Sequence, residues 1–299
     1  MHRARHEFKG VISAIVTPFK NDEIDEEVYR KIVDFNIDAG ISGFWVAGGT
    51  GESVLLTDEE RIRLGQITVE QARKRAKTIL HVGALTTRSA ARMAEGAAKA
   101  GAEAIACVPP FFYHPSDAAI VQHYKTVAAA ADLPLFLYNL PSCTGVEITP
   151  ALAQKIAEAV PQLAGLKHSV WDLNNFQMFV EMGMTSFIGI SSILLPALTL
   201  GAAGTIDGFP CVFPEPFVEI YEAYQQGDQK RAERAQARIN QFNRLVWPGP
   251  FGAAFHSVFK TILDERLGVS CGRPRPPLLE LTPERKKDLL ERTRKLGLL

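Results

Sequence analysis

Short apolar runs alternate with amphipathic segments along most of the chain. The runs are nearly continuous in apolar residues, which is typical of strands buried on both faces of a parallel sheet. Eight such runs occur, at residues 11–16, 43–46, 78–82, 104–108, 133–138, 163–167, 186–190 and 204–206. Between the runs, apolar residues recur at helical spacing, as in residues 25–39, which predicts helices that pack one face onto the sheet. The pattern therefore predicts eight strand–helix units.

Capping residues mark where several of these helices begin. Thr57 is followed by Glu60, which is the spacing of a capping box, and this helix is predicted to continue to about Arg75. Thr149 precedes Pro150, a residue that suits the first turn of a helix. Eight consecutive units favour an α/β fold in which parallel strands close into a (β/α)8 TIM barrel.

The barrel is predicted to occupy residues 1–226 and to carry the catalytic site. The remaining residues, 227–299, have no strand pattern and are predicted to form a C-terminal helical region. Its helices are predicted at residues 229–245, 251–267 and 283–295. We expect this region to pack on the barrel or on a neighbouring subunit.

Composition argues against several classes of protein. Among 299 residues, Lys+Arg and Asp+Glu both number 33, so the charge gives no sign of a nucleic-acid surface. The four cysteines are widely spaced without a CxxC pair, which favours reduced thiols in a cytoplasmic protein over disulfides or a zinc site. The sequence contains no run of about 18 apolar residues, so it predicts no membrane span. The histidines lack ligand spacing, so we expect no metal.

Lys167 ends the sixth predicted strand, and active sites of (β/α)8 barrels lie at the carboxyl ends of the strands. Burial lowers the pKa of a lysine and makes the neutral amine available as a nucleophile for carbonyls. The alternative is a solvated lysine at the rim, which is the commoner role for a lone lysine at a strand end. His168 is expected to point away from the site, since neighbouring strand positions alternate.

Two other strand ends carry residues that could assist such a lysine. Residues 48–52 read G-G-T-G-E, and glycines let successive backbone N–H groups approach a carboxylate or phosphate. Tyr138 ends the fifth strand, where its hydroxyl could shuttle protons near an imine. Each feature also has a structural explanation. The turn could be only a tight connection, and Tyr138 could be a core aromatic with a satisfied hydroxyl.

Taken together, these stretches resemble the dihydrodipicolinate synthase / N-acetylneuraminate lyase family of class I aldolases. The order and spacing of the motifs agree with the family from about residue 8 to the C-terminus. The matching motifs are V-T-P-F at 16–19, G-G-T-G-E at 48–52, L-T at 56–57, E-R at 60–61, Y-N-L-P-S-C-T-G at 138–145 and G-L-K at 165–167.

The resemblance implies a barrel with a helical C-terminal domain, usually assembled as a dimer of dimers, so we expect a homotetramer or homodimer. It implies that Lys167 forms a Schiff base with pyruvate or another 2-oxo acid and that Tyr138 relays protons. Thr50 and the backbone at Gly49 would hold the carboxylate of the 2-oxo acid. An iminium is itself an electron sink, so this chemistry requires no metal or organic cofactor.

Three positions depart from the family pattern. Gly49 stands where family motifs usually carry the first hydroxyl residue. Phe112 matches the position from which a tyrosine of dihydrodipicolinate synthases reaches the neighbouring subunit's site, although Tyr113 is adjacent and could substitute. Cys143 stands where those synthases carry an arginine that binds the second substrate's carboxylate. These departures favour aldol cleavage, condensation or dehydration of a 2-keto-3-deoxy sugar acid-like substrate over dihydrodipicolinate synthase activity.

The last two strand ends offer further polar groups for such a substrate. Ser191 follows the seventh strand, and Asp207 follows Ile206 at the end of the eighth. Hydroxyl and carboxylate groups can bond to sugar hydroxyls, although the serine could instead cap the next helix. A non-catalytic 2-oxo acid-binding protein is the remaining alternative, because relay positions are altered. The predicted substrate-binding residues are Gly49, Thr50, Cys143, Ser191, Ile206 and Asp207.

Overall fold

In the computed structural model, which describes residues 7–246 and 254–299, eight parallel strands close into a barrel. The strands are β1 (Gly10–Ala14), β2 (Gly43–Val46), β3 (Lys77–His81), β4 (Ala104–Cys107), β5 (Leu135–Asn139), β6 (Leu163–His168), β7 (Thr185–Ile188) and β8 (Gly204–Asp207). Each strand pairs with its neighbours in the chain, and β8 closes the barrel on β1. The predicted (β/α)8 TIM barrel is confirmed.

One main helix follows each strand. These helices are α1 (Glu26–Asp38), α2 (Asp58–Ala72), α3 (Thr87–Ala100), α4 (Asp117–Ala131), α5 (Pro150–Ala159), α6 (Leu173–Glu181), α7 (Leu194–Thr199) and α8 (Pro214–Gln225). Shorter elements lie in the connections after the strands, at Phe19–Lys20 paired with Glu23–Ile24, Gly49–Gly51, Ser53–Leu55, Pro141–Thr144, Ser191–Ile193 and Phe209–Val212. In the described parts of the chain, no helix is long and apolar enough to cross a membrane.

Side-chain caps begin helices where the sequence predicts them. The Thr57 hydroxyl accepts from the Glu60 N–H, and the Glu60 carboxylate accepts from the Thr57 N–H, which is the predicted capping box. Thr149 caps α5 in the same manner, with its hydroxyl accepting from the N–H of Leu152. The helix α2 ends earlier than predicted because Arg73 adopts a left-handed backbone conformation with φ of 48°.

A β-bulge between β5 and β6 positions the end of β6. The pairing skips Ala164, and beyond this point Tyr138 pairs with Lys167. An extra residue changes which side chains face the barrel interior, so the bulge decides the direction of Lys167. Gly165 lies next to the bulge, where an added Cβ would stand 2.0 Å from the carbonyl oxygen of Thr185. Only glycine therefore permits β6 to approach β7 this closely.

Large apolar side chains fill the barrel beneath the strand ends. Trp45, Phe136 and Phe187 are fully buried there and form one cluster with Ile206 and Tyr138. Such close packing makes the interior a core rather than a pore, in agreement with other barrels of this size. A side chain that emerges at the strand ends therefore rests on a closely packed apolar layer.

The C-terminal region contributes three helices, α9 (Gln229–Val246), α10 (Phe255–Leu267) and α11 (Pro283–Lys295). The predicted helix over 251–267 is seen from Phe255 onwards, and residues 251–253 lie outside the described part of the chain. Apolar side chains of α10 join the hydrophobic cluster that also contains the barrel helices. The predicted division between residues 226 and 227 stays a prediction.

Candidate active site

A cavity of about 570 Å³ opens at the carboxyl ends of the strands. Its walls come from the ends of β5, β6 and β8, from the connections after β2, β5, β6, β7 and β8, and from helices α9 and α10. Its polar lining residues are Thr50, Tyr138, Ser142, Cys143, Lys167, Ser169, Ser191, Ser192, Asp207 and Asn243. This is the end of the barrel at which enzymes of this architecture hold their active sites.

Lys167 is enclosed by aromatic rings at the end of β6. The residue is only 5% exposed, and Nζ lies 4.4 Å from the ring centroid of Tyr138 and 5.1 Å from that of Trp45. Burial lowers the pKa of Lys167 from 10.5 to about 8, while the charge of Asp207 acts in the opposite direction. An appreciable fraction of the side chain is therefore a neutral amine near neutral pH, as a carbonyl nucleophile requires.

Tyr138 is fixed by two edge-to-face ring contacts. Its ring meets Trp45 at a centroid distance of 5.2 Å and His81 at 5.6 Å. Burial raises the pKa of Tyr138 above its ordinary value, and a hydrogen bond with Ser169 acts in the opposite direction. The hydroxyl therefore stays protonated at neutral pH. It can donate a hydrogen bond or relay a proton, but the phenolate is not populated.

Hydrogen bonds from side chains to two backbone carbonyl groups hold the turn after β2 in place. The Thr17 hydroxyl donates to the Gly51 carbonyl at 2.8 Å, and His256 Nε2 lies 2.9 Å from the Gly49 carbonyl oxygen. Gly49 and Thr50 are the first two residues of the short 3-10 helix Gly49–Gly51. The first N–H groups of a helix have no preceding carbonyl within the helix to which they can donate. These two N–H groups are thus available to an anionic ligand.

Behind the turn, Glu52 forms a buried ion pair with the C-terminal region. Its carboxylate lies 2.6 Å from Lys260 Nζ, and the two side chains are 0% and 3% exposed. It also accepts from the backbone N–H of Arg275 at 2.7 Å. Glu52 has a φ of 65°, a left-handed conformation that is unfavourable for residues other than glycine. Contacts from α10 and the segment after it therefore fix the shape of the turn.

Asp207 ends β8 and presents its carboxylate to the same cavity. Oδ2 accepts from the backbone N–H of Ser191 at 2.7 Å and from its hydroxyl at 2.5 Å, and Oδ1 accepts from the Gly208 N–H at 2.5 Å. Burial raises the pKa of Asp207, while the Ser191 hydrogen bond and the Lys167 charge act in the opposite direction. The turn after β2 packs against the end of β8 beside the cavity. Thr50 lies so close to Gly208 that a Cβ at Gly208 would stand only 2.7 Å from Thr50 Oγ1.

This arrangement is accompanied by similarity to known proteins along nearly the whole chain. The model of the Dihydrodipicolinate synthetase family matches residues 7–295. The chain belongs to this family. The 4-hydroxy-tetrahydrodipicolinate synthase of Methanopyrus kandleri is 34% identical over 302 residues, which cover 98% of each protein.

Two solved structures of the same fold extend the comparison. The N-acetylneuraminate lyase of Proteus mirabilis is 25% identical, with a TM-score of 0.90, and the match covers 98% of this chain and 99% of that one. A prophage protein of the dihydrodipicolinic acid synthase family from E. coli K12, solved in complex with pyruvate, gives a TM-score of 0.91 at 25% identity, with coverage of 98% and 99%. The predicted family and the lyase class of enzyme are confirmed.

Within this dihydrodipicolinate synthetase barrel, most of the predicted site residues come together. Those that line the cavity are Gly49, Thr50, Tyr138, Cys143, Lys167, Ser191 and Asp207. Ile206 is not among the lining residues, because its side chain is buried in the apolar barrel interior. His168 points away from the cavity, as predicted, and packs against Phe176 and Phe179 of α6. The roles of the lining residues stay predictions.

Phe112 and Tyr113 do not line the cavity of their own subunit. The two residues are 79% and 78% exposed, and their rings form an edge-to-face pair with centroids 5.1 Å apart. Phe112 has a φ of +77°, which is a strained conformation for a bulky residue. Whether either side chain completes the site of a neighbouring subunit stays a prediction.

The sequence did not indicate several residues of the site. Trp171 is 62% exposed and lines the cavity mouth, while Asn243, Phe255 and Phe259 line it from the C-terminal helices. Trp171 lies just after β6 and could have been found as a large aromatic residue in an active-site connection. The other three are distant in sequence from the barrel motifs, and no local pattern marks them. In the described residues, no group of three or more His, Cys, Asp or Glu is arranged to hold a metal ion.

The lowered pKa of Lys167 predicts unusual reactivity near neutral pH. Labelling by a small amine-reactive reagent requires the neutral amine, so the labelling rate of Lys167 should rise with a midpoint near pH 8. In Asp207→Asn the midpoint should be lower, because the carboxylate charge favours the ammonium form. Mass spectrometry of the labelled peptide at increasing pH measures both midpoints. A midpoint near the ordinary lysine value of about 10.4 would contradict the described environment.

Proposed function

We propose that the protein forms a Schiff base between Lys167 and the C2 carbonyl of pyruvate or another 2-oxo acid. The observation that carries this proposal is the enclosed amine, which lies against Tyr138 and Trp45 in a cavity at the strand ends. The neutral amine attacks C2, water leaves, and an iminium forms. The pyruvate complex of the related E. coli prophage protein supports a 2-oxo acid as the ligand class.

The carboxylate of the 2-oxo acid is proposed to bind at the turn after β2. Gly49 and Thr50 offer N–H groups without partners in their helix, and Thr50 adds a hydroxyl. A Cβ on Gly49 would stand 3.9 Å from the hydroxyl oxygen of Tyr138. The proposed carboxylate site, Tyr138 and Lys167 all line this cavity, which suits a 2-oxo acid held through its carboxylate and its C2 carbon with C3 free to react.

The iminium is proposed to lose a proton from C3, which gives an enamine. The enamine carbon then attacks an aldehyde, or in the reverse direction the C3–C4 bond breaks while the C4 hydroxyl loses its proton. In a dehydratase, the same enamine expels hydroxide from C4. Tyr138 is proposed to relay protons to and from the substrate oxygen; its protonated hydroxyl and the contact of its ring with Lys167 support this role.

The second substrate, or the leaving part of a single substrate, is proposed to be 2-keto-3-deoxy sugar acid-like. The cavity of about 570 Å³ exceeds the space of a three-carbon acid, and Ser191, Ser192 and Asp207 are among its polar lining residues. These groups can bond to hydroxyls of a sugar chain. Cys143 lacks the paired donors with which an arginine binds a carboxylate. We therefore favour aldol cleavage, condensation or dehydration of a hydroxylated acid.

We also propose that the protein assembles as a homotetramer or homodimer in the cytoplasm. The exposed pair Phe112 and Tyr113 supports a contact between subunits, because two adjacent aromatic residues are rarely left in water at this exposure. Tyr113 of a neighbouring subunit would then supply the hydroxyl that Phe112 lacks. The four cysteines are free, which supports a reducing compartment.

Two alternatives have observations in their favour. The name of the Methanopyrus kandleri relative favours 4-hydroxy-tetrahydrodipicolinate synthase activity. The absence of hydroxyls at Gly49 and Phe112 favours a protein that binds a 2-oxo acid without turning it over. The enclosed Lys167 and its contact with Tyr138 weigh against the second alternative, since simple binding needs no buried amine.

Reductive trapping tests the Schiff base directly. Borohydride added with pyruvate should attach a stable adduct to one lysine, Lys167, because only the imine is converted to a secondary amine. Lys167→Ala should abolish the adduct, whereas Lys155→Ala, which removes an exposed lysine of α5, should leave it unchanged. Peptide mass spectrometry measures the site. An adduct on another lysine, or none with any 2-oxo acid, would be evidence against the proposal.

A substrate screen separates the proposed reaction from the alternatives. The protein should turn over at least one 2-keto-3-deoxy sugar acid and should condense pyruvate with aspartate semialdehyde poorly, because Cys143 offers no guanidinium to the semialdehyde carboxylate. The measurement is the rate of pyruvate release or consumption with each substrate, with an authentic synthase as the control. Efficient semialdehyde condensation would establish the synthase alternative, and imine trapping without any turnover would favour the binding protein.

A further inference from the structure

Formation of the enamine requires a base that removes the C3 proton, and the inference made here rests on the proposed function. Among the described residues that line the cavity, the titratable side chains are those of Lys167, Tyr138, Cys143 and Asp207. The nitrogen of Lys167 is already bonded to the substrate at this stage. Cys143 is exposed to solvent, whereas the Lys167 amine is enclosed. The choice therefore lies between Tyr138 and Asp207.

Tyr138 is poorly suited to keep the proton. Burial raises its pKa above the ordinary value, so its hydroxyl is protonated and can accept a proton only by passing its own to another group. Its hydrogen-bond partner is the Ser169 hydroxyl, which is too weak a base to keep that proton, and Gly49, whose Cβ would be 3.9 Å from the Tyr138 hydroxyl oxygen, has no side chain to receive it. Phe112 has no hydroxyl either, and it lies outside the cavity of its own subunit.

Asp207 meets the requirements that Tyr138 does not. It is the only carboxylate among the described lining residues of the cavity. A carboxylate has about four acceptor positions. Two donors of Ser191 and the N–H of Gly208 occupy three of those of Asp207, which leaves about one to accept a proton. Asp207 and Lys167 line the same cavity, and the charge of each acts on the other. A substrate bonded to Lys167 therefore shares this enclosure with the Asp207 carboxylate.

We infer that Asp207 is the catalytic base that removes the C3 proton from the iminium on Lys167. The C3–H bond breaks, and its electron pair forms the C2–C3 double bond. The π electrons of the C2–N bond move to nitrogen, which becomes neutral, and the proton bonds to a carboxylate oxygen of Asp207. The same proton returns to C3 in the reverse step, so Asp207 acts as the acid when the enamine is protonated.

The surroundings of Asp207 agree with this role. Burial raises its pKa, which makes it a stronger base than a solvated carboxylate, while the bonds from Ser191 and Gly208 favour its ionised form. The positive iminium would share the cavity with a negative charge held in place by three hydrogen bonds, which stabilises the cation. Ser191 therefore orients Asp207, and it is a positioning residue in this assignment rather than a catalytic one.

Exchange of the pyruvate methyl protons in D2O tests the inference without knowledge of the second substrate. Proton NMR follows the loss of the methyl signal as the enamine forms and takes up deuterium. The wild type should catalyse exchange, and Asp207→Asn should slow it by about 100-fold or more, the usual contribution of a general base. Borohydride trapping of pyruvate on Lys167 should persist in Asp207→Asn. Asp132→Asn, a change of the same kind at the exposed end of α4, should exchange like the wild type.

The two proposals fail in different ways. A wild type that neither traps nor exchanges pyruvate would overturn the proposed Schiff-base function. A wild type that does both, with Asp207→Asn exchanging at the wild-type rate and Tyr138→Phe losing exchange, would overturn only the assignment of Asp207.

Ser191→Ala provides a second test if Asp207→Asn does not fold. This variant keeps the carboxylate and the backbone donor of residue 191 but removes the hydroxyl that bonds to Oδ2. That bond lowers the pKa of Asp207, so its loss should move the acidic limb of the exchange profile to higher pH while trapping on Lys167 persists. An acidic limb at the wild-type pH would overturn the assignment.

Discussion

Burial of the Lys167 amine is the constraint on which the rest of the site depends. An ammonium group among aromatic rings loses most of its hydration, and such a group is tolerated only if it gives up its proton or finds a compensating charge. Both effects are present here, because burial lowers the pKa to about 8 and Asp207 moderates the shift. The bulge at Ala164 and the close strand approach at Gly165 direct this one nitrogen into the cavity.

The turn after β2, which is the proposed carboxylate site, depends on a second buried charge that couples the C-terminal region to the barrel. Glu52 has a left-handed backbone conformation, and Lys260 and the backbone N–H of Arg275 bind its carboxylate. Removing one partner of a buried ion pair leaves an uncompensated charge and costs about 3–5 kcal/mol. The C-terminal region therefore supports the candidate active site, and it also lines the cavity at Phe255 and Phe259.

The strand order and the positions of Lys167, Tyr138 and the turn after β2 could be predicted, because each depends on local patterns of apolar runs, caps and glycines. The capping box at Thr57 and the outward direction of His168 follow from the same local rules. The contacts of Lys260 and His256 with the turn could not be predicted, since they join segments about 200 residues apart in the chain. The sequence predicts Asp207 in the substrate pocket, but its three hydrogen-bond donors are seen only in the structure.

The most direct test of the central claim is a crystal structure of the protein soaked with pyruvate. The account predicts continuous electron density from Lys167 Nζ to C2 of the acid, with the carboxylate at the N–H groups of Gly49 and Thr50 and the methyl carbon directed toward Asp207. It also predicts that Tyr138 lies beside the new C–N bond. Pyruvate bound without a bond to Lys167, or with its carboxylate away from the turn after β2, would contradict the account.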